Sequence, residues 1–217
     1  YGWLKLASLF GIPESSWMDF MKIINVVFMN LGMWAAFDLI RRHRSKKTAL
    51  CFLLFLIVNP LWYLLAEMYY TSTISLAFSM GGIWLFDRAG EERDMVRKLL
   101  QYVGTGLLLA AGYKIRATVI LTILSILAYV VLTLGEQELV EWKKRIVSWG
   151  LSLTAVLLGL LLVFAVYGRA EQRYAGFDPA KTGYPTVHWI MMSAQGEGQY
   201  NSADDAFTGS FDTKAER

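Results

Sequence analysis

VSWGLSLTAVLLGLLLVFAVY, residues 147–167, is a run of 21 residues without a charged side chain. Charged residues flank this run on both sides, with Lys143, Lys144 and Arg145 before it and Arg169 after it. A helix needs about 20 mainly apolar residues to cross the hydrocarbon core of a bilayer. The stretch therefore predicts a transmembrane helix.

Five further apolar runs precede it and cover residues 19–40, 48–70, 73–86, 99–111 and 119–134. Pro60 is expected to kink or end the second run, and Gly104 and Gly106 to interrupt the short fourth one. The chain is 55% hydrophobic and 18% charged, against about 45–50% and about 25% in soluble domains. We predict an all-α fold, a polytopic bundle of about six spans over residues 19–168.

Cationic side chains divide the loops into two groups. The loops after the second and fourth runs contain only Lys114 and Arg116 as cations. Those after the first, third and fifth runs contain Arg41, Arg42, Arg44, Lys46, Lys47, Arg88, Arg93, Arg97, Lys98, Lys143, Lys144 and Arg145. Because Lys and Arg are enriched in cytoplasmic loops, the richer group is predicted to be cytoplasmic. The sequence thus predicts a multi-pass membrane protein with these loops in the cytoplasm.

The two ends of the chain are then extracytoplasmic. Residues 1–18 place Trp3, Leu6, Leu9 and Phe10 at near-helical spacing, which suits an amphipathic helix lying in the membrane interface; a soluble capping turn is the alternative. Residues 169–217 are polar and predict a loop segment. Because the chain begins at Tyr1, we expect an internal fragment of a longer polytopic protein.

The polar island Gly112–Thr118 (GYKIRAT) separates the fourth and fifth runs. Lys114 and Arg116 would lie at the face where cations are scarce, and ionisable groups near membrane depth usually mark function. On a regular helix, residues two apart point in different directions, whereas in a broken turn the two cations flank one ligand. Arg offers a planar fork to phosphate oxygens and Lys a mobile charge. We predict a lipid-phosphate site here, with unspecific snorkelling to headgroups as the alternative.

Other polar residues are candidates for the same face. Glu67 suits a general base for an acceptor hydroxyl or an ion-pair partner of the island. Tyr69 and Tyr70 belong to an aromatic belt at the interface, and Ser72 is suited to a sugar contact or a helix cap. His188 is a candidate sugar or phosphate contact. No metal site and no nucleic-acid signature is apparent in the sequence.

Two strings in the middle of the chain resemble motifs of a known family. Tyr69-Tyr70-Thr71-Ser72-Thr73 opens one span, and Gly112-Tyr113-Lys114-Ile115-Arg116-Ala117-Thr118 opens a later one. They are similar to the Tyr-Thr-Asp-Thr-like and Ile-Arg-Pro-Thr-like strings of bacterial GT-C glycosyltransferases, the protein-mannosyltransferase and aminoarabinose-transferase-like membrane enzymes. Ser72 stands where that family often has aspartate, and Ala117 where it often has proline.

The resemblance implies an enzyme that takes a sugar from a polyprenyl-phosphate carrier on the outer face and passes it to a glycan, lipid or protein acceptor. It assigns the carrier phosphate to Arg116, with Lys114. The family's catalytic aspartate belongs to the first outer loop, which would precede Tyr1, so the catalytic residue is unknown in this segment. No cofactor is expected within it.

Two other functions stay open. A transporter or flippase for lipid-linked or anionic substrates would carry polar groups near mid-span and broken helices at the midplane, whereas Lys22 and Asp38 lie towards the ends of the first run. A non-catalytic membrane scaffold would use residues 169–217 to bind a partner.

Overall fold

The computed structural model describes residues 7–67, 71–135 and 139–175, together with Ala206. Within these residues the regular structure is helical and includes no strand, so the predicted all-α fold is confirmed. Short 3-10 turns at Glu14–Ser16 and Ala117–Val119 precede two of the helices. The helices are α1 Trp17–His43, α2 Lys46–Val58, α3 Pro60–Glu67, α4 Thr71–Glu91, α5 Met95–Ile115, α6 Ile120–Gly135 and α7 Leu139–Ala175.

The chain divides into two compact units, Tyr1–Phe164 and Ala165–Arg217, and every contact described below lies within the first. Of the second unit the structure describes residues 165–175, which are the last part of α7, and Ala206. The sequence predicted a loop from residue 169, and that boundary is wrong because α7 continues to Ala175. Residues 169–175 include Arg, Ala, Glu and Gln, which are good helix formers although they are polar.

The second apolar run folds as two helices that meet at a sharp bend. α2 ends at Val58, Asn59 is extended, and α3 starts at Pro60 with a bend of 67°. A residue before proline is pushed away from helical angles, and proline is tolerated at the first position of a new helix. Asn59 also caps the turn, because its Oδ1 accepts a hydrogen bond of 3.1 Å from Leu61 N. The predicted break at Pro60 is confirmed.

α5 is longer than the sequence indicated. The prediction of a short segment interrupted by Gly104 and Gly106 is wrong, because α5 is continuous from Met95 to Ile115. Asp94 caps its start by accepting a hydrogen bond of 2.8 Å from Arg97 N. The glycines serve packing instead: a methyl group on Gly106 would collide with the carbonyl oxygen of Val156 in α7. Small residues let two membrane helices approach this closely.

Helix contacts show how the chain runs back and forth. α1 and α4 are parallel, since Asn25 contacts Thr73 near their starts and Asp38 contacts Trp84 near their ends. α2 and α3 therefore run in the opposite direction and connect the end of α1 to the start of α4. α5 is antiparallel to α4, because Gly82 packs on Leu109 while Gly112 packs on Phe78.

α6 and α7 continue this alternation. The rings of Tyr129 in α6 and Trp149 in α7 both pack on Phe86 near the end of α4, with centroids 6.4 and 5.9 Å from it. The carboxyl ends of α1 and α4 and the start of α5 thus lie at one end of the bundle, here called the charged end. The opposite end, called the Lys114 end, holds the starts of α1 and α4 and the end of α5. Alternation is what the sequence predicted for consecutive spans.

In the part of the chain that the structure describes, two helical segments are long and apolar enough to cross a membrane, Glu14–His43 and Val147–Ala170. The bent pair Lys46–Val58 and Pro60–Ala66 makes a third if it counts as one crossing. This is fewer than the six spans predicted. α4 illustrates the difference, because its buried residues include Thr73, Ser75 and Ser79. These side chains lower its hydropathy, yet they face neighbouring helices rather than the surface.

Candidate functional site

The polar island forms the break between α5 and the following 3-10 turn. α5 ends at Ile115, and Arg116 is extended with φ −152° and ψ 124°. The Arg116 N–H still donates to Gly112 O at 2.8 Å, and the Arg116 carbonyl accepts from Val119 N at 3.2 Å. The backbone of Arg116 thus closes one helix and opens the next. This fixes where its side chain leaves the bundle.

Lys114 lies two residues earlier in a helical conformation, and its ammonium approaches an aromatic ring. The Lys114 Nζ is 5.5 Å from the ring centroid of Phe164 in α7. A cation over an aromatic face is stabilised by the ring quadrupole. Lys114 and Arg116 are both half-buried. The backbone is helical at Lys114 and extended at Arg116.

The start of α4 lies at the same end of the bundle as Arg116. Ser72 occupies its first turn, where the Ser72 carbonyl accepts a hydrogen bond of 3.0 Å from Ser75 Oγ. The neighbouring Thr73 donates its hydroxyl proton to Asn25 Oδ1 and is buried. Phe78, one turn and a half further along, packs on Gly112 of α5. The described parts of the two strings that carry the family resemblance, residues 71–73 and 112–118, therefore lie at the Lys114 end.

Asn25 is a structural residue that the sequence did not single out. It is fully buried, and its Nδ2 donates to the carbonyls of Leu65 at 2.8 Å and Ala66 at 3.5 Å. Those carbonyls belong to the last turn of α3, and the backbone carbonyls of a last helical turn lack intrahelical N–H donors. Asn25 thus joins α1, α3 and α4. The sequence signal for such a role is an Asn within an apolar run, and the first run contains two, Asn25 and Asn30.

The remaining predicted site residues are not described. Glu67 is the last residue of α3, but its side chain lies outside the described part. Tyr69, Tyr70 and His188 also lie outside the described residues. Their predicted roles therefore stay predictions.

The charged end contains a network of ion pairs between α1 and α4. Arg42 pairs with Asp87 through a contact of 2.8 Å and also with Glu91. His43 Nε2 lies 2.7 Å from Asp87 Oδ1. One turn deeper, Asp38 accepts hydrogen bonds from Trp84 Nε1 at 2.9 Å and from Arg41 Nη2 at 2.5 Å. From the sequence, these cations indicate only which loops are cytoplasmic, and their acidic partners are not predicted.

A cavity of about 790 Å³ lies beside this network, between α1, α4, α6 and α7. Its lining includes His43, Arg44, Asp87, Tyr129 and Trp149. Two smaller cavities of about 410 Å³ each lie between α1 and the bent pair α2–α3, one of them also lined by α4, and they are mainly apolar. None of these three cavities is lined by Lys114 or Arg116. Among the described residues, no group of His, Cys, Asp and Glu side chains is arranged to hold a metal ion.

A family model described as "Conserved hypothetical integral membrane protein" matches residues 4–217. The chain belongs to this family. The match covers nearly the whole chain, so the protein is an integral membrane protein in contact with the lipid bilayer. No curated protein and no solved structure matches the chain.

Proposed function

We propose that this integral membrane protein is part of a glycosyltransferase that takes a sugar from a polyprenyl-phosphate carrier. In this proposal Arg116, with Lys114, holds the carrier phosphate at the Lys114 end. The end with fewer cationic loops is the extracytoplasmic one under the positive-inside rule, so transfer takes place on the outer face of the cytoplasmic membrane.

The helix break at Arg116 is the observation that supports this proposal most. An extended residue between two helices presents its side chain at the rim of a bundle, near headgroup depth, instead of along a helix face. Arg116 is half-buried there and carries a fork of donors suited to phosphate oxygens. The resemblance string at residues 112–118 centres on the same residue.

The chemistry needs a cation at this position. As the bond between sugar and phosphate breaks, negative charge develops on the departing lipid phosphate. A preorganised guanidinium stabilises that charge in the transition state more than in the ground state, and such electrostatic terms are large in catalysis. A carboxylate must also remove the proton of the acceptor hydroxyl. The proposal leaves that base unassigned.

Photocrosslinking tests the phosphate assignment without knowledge of the sugar. Membranes containing the full-length protein are illuminated with a polyprenyl phosphate that carries a photoreactive group in its isoprenoid chain, and with the matching polyprenol. We expect crosslinking to the phosphate form and little to the alcohol. Arg116→Ala should reduce the phosphate signal about tenfold or more, because one charge-assisted contact contributes about 1.5–3 kcal/mol.

Two variants make this experiment specific. Arg116→Lys keeps the charge but loses the bidentate fork, so an intermediate signal is expected. Arg93→Ala removes an exposed cation at the charged end and should leave crosslinking unchanged. Equal crosslinking of wild type and Arg116→Ala would refute the assignment, as would wild-type turnover of a polyprenyl-linked sugar by Arg116→Ala.

A further inference from the structure

The cavity at the charged end is large enough for a lipid headgroup and part of a chain. Its volume of about 790 Å³ falls in the range of about 300–1,000 Å³ found for ligand pockets in proteins. Ile83 and Ile126 make its wall apolar, and Tyr129 and Trp149 make it aromatic. The cavity thus combines an apolar wall with a charged rim.

The acidic residues of the rim contact basic side chains of α1. Asp87 and Glu91 both pair with Arg42, and Asp87 also contacts His43. Arg42 is mostly buried, with 14% of its side chain exposed, which holds these pairs in place. Arg42 thus compensates one of the two carboxylate charges.

Further cations lie at the turn between α1 and α2. Arg44 lines the cavity, is exposed, and forms no ion pair with any residue that the structure describes. Lys46 and Lys47 follow in the first turn of α2, and both are exposed. Residues 44–47 contain no acidic side chain. Arg42, Arg44, Lys46 and Lys47 together outnumber the carboxylates of Asp87 and Glu91, so the net charge around the rim is positive.

We propose that this cavity binds an anionic phospholipid, with its phosphate at Arg44 and an acyl chain against the wall formed by Ile83, Ile126 and Trp149. The positive-inside rule directs this end to the cytoplasmic leaflet. Basic pockets between membrane helices on that side bind anionic headgroups, and each Lys or Arg near the surface attracts them measurably. The site is independent of the proposed transferase site, which lies at the opposite end of the bundle.

Trp149 provides a reporter inside the cavity. The purified full-length protein is titrated in neutral micelles with phosphatidylglycerol or phosphatidylcholine, each brominated on an acyl chain, and tryptophan fluorescence is measured. Bromine quenches an indole at close range, and the difference between wild type and Trp149→Phe isolates the signal of Trp149. We expect phosphatidylglycerol to quench this signal at about fivefold lower mole fraction than phosphatidylcholine, the ratio corresponding to one cation.

Charge variants test the role of Arg44. Arg44→Gln should remove the preference for phosphatidylglycerol. Arg93→Gln is the matched control, because Arg93 is an exposed arginine at the same end that lines none of the three cavities and forms no ion pair with the residues described. Retained preference in Arg44→Gln, or equal loss in Arg93→Gln, would overturn the proposal.

The acyl chain is tested separately. Ser125 is exposed and lines the cavity, so Ser125→Phe should occupy part of its volume and weaken quenching by both lipids. Soluble glycerol phosphate should not displace the lipid. Equal quenching by both lipids in the wild type, unchanged quenching in Ser125→Phe, or displacement by glycerol phosphate would each contradict binding of an anionic phospholipid.

Discussion

The indole Nε1 of Trp84 donates a hydrogen bond of 2.9 Å to Oδ2 of Asp38, and this contact joins α4 to α1 at the charged end. Asp38 is only 5% exposed, and Arg41 donates to its other oxygen at 2.5 Å. A carboxylate within an apolar helix is costly unless it is paired. The pairing therefore fixes the position of α1 relative to α4.

Replacement of Asp38 should destabilise the bundle. Asp38→Ala leaves the Trp84 N–H and the Arg41 guanidinium without their acceptor, so we expect a loss of about 1–3 kcal/mol in the free energy of unfolding. Thermal unfolding of the purified protein in detergent measures this loss. Trp84→Phe removes a single hydrogen bond and should cost about 0.5–1.5 kcal/mol. A melting temperature of Asp38→Ala equal to that of the wild type would contradict a structural role for the carboxylate.

Close packing between α5 and α7 predicts a strong effect at Gly106. In Gly106→Ala the added methyl group meets the Val156 carbonyl, and backbone atoms cannot move aside as a side chain can. We expect a loss of about 1–3 kcal/mol, typical of overpacking, measured by the same unfolding assay.

Gly150 offers the matched control on α7. A methyl group there meets no atom within 4 Å in the described structure. Because Ala favours helix over Gly by about 1 kcal/mol, Gly150→Ala should be neutral or stabilising. Equal destabilisation by both substitutions would indicate that helix propensity, rather than contact between α5 and α7, determines the effect.

The orientation of the bundle can be tested with single cysteines. In a Cys51→Ser background, Lys46→Cys marks the charged end and Thr118→Cys marks the Lys114 end, and both positions are exposed. A membrane-impermeant maleimide added to intact cells should label position 118 and not position 46. In inverted vesicles the pattern should reverse. Labelling of position 46 from outside the cell would overturn the orientation.

Local sequence signals predicted the helix bounds and breaks well in some places. Pro60 ends one helix and starts another as its fixed geometry requires. Cation-rich and cation-poor loops alternate along the chain, and the helix ends beside the cation-rich loops lie together at the charged end. The extended Arg116 also lies in the polar island on which the sequence analysis centred. These features depend on neighbouring residues in the chain.

Such local signals do not predict long-range contacts. Gly104 and Gly106 suggested an interruption, but Gly104 packs on Leu85 of α4 and Gly106 on Val156 of α7, 50 residues away. The pairs Asn25–Thr73 and Asp38–Trp84 join residues 48 and 46 positions apart. The large cavity is likewise formed by four helices, and nothing in one segment indicates it. The sequence alone therefore predicts a site at the Lys114 end only.

The two polar pairs between α1 and α4 have a mechanical consequence. Asn25 and Asp38 are 13 residues apart on α1, about 20 Å along a helix axis, and each is tied to the same partner helix. Because α1 and α4 are joined at both positions, the two helices can neither slide along each other nor rotate independently. Any change in the spacing of the helices must then come from the bend at Asn59 or from movement of α5, α6 and α7 relative to α1 and α4.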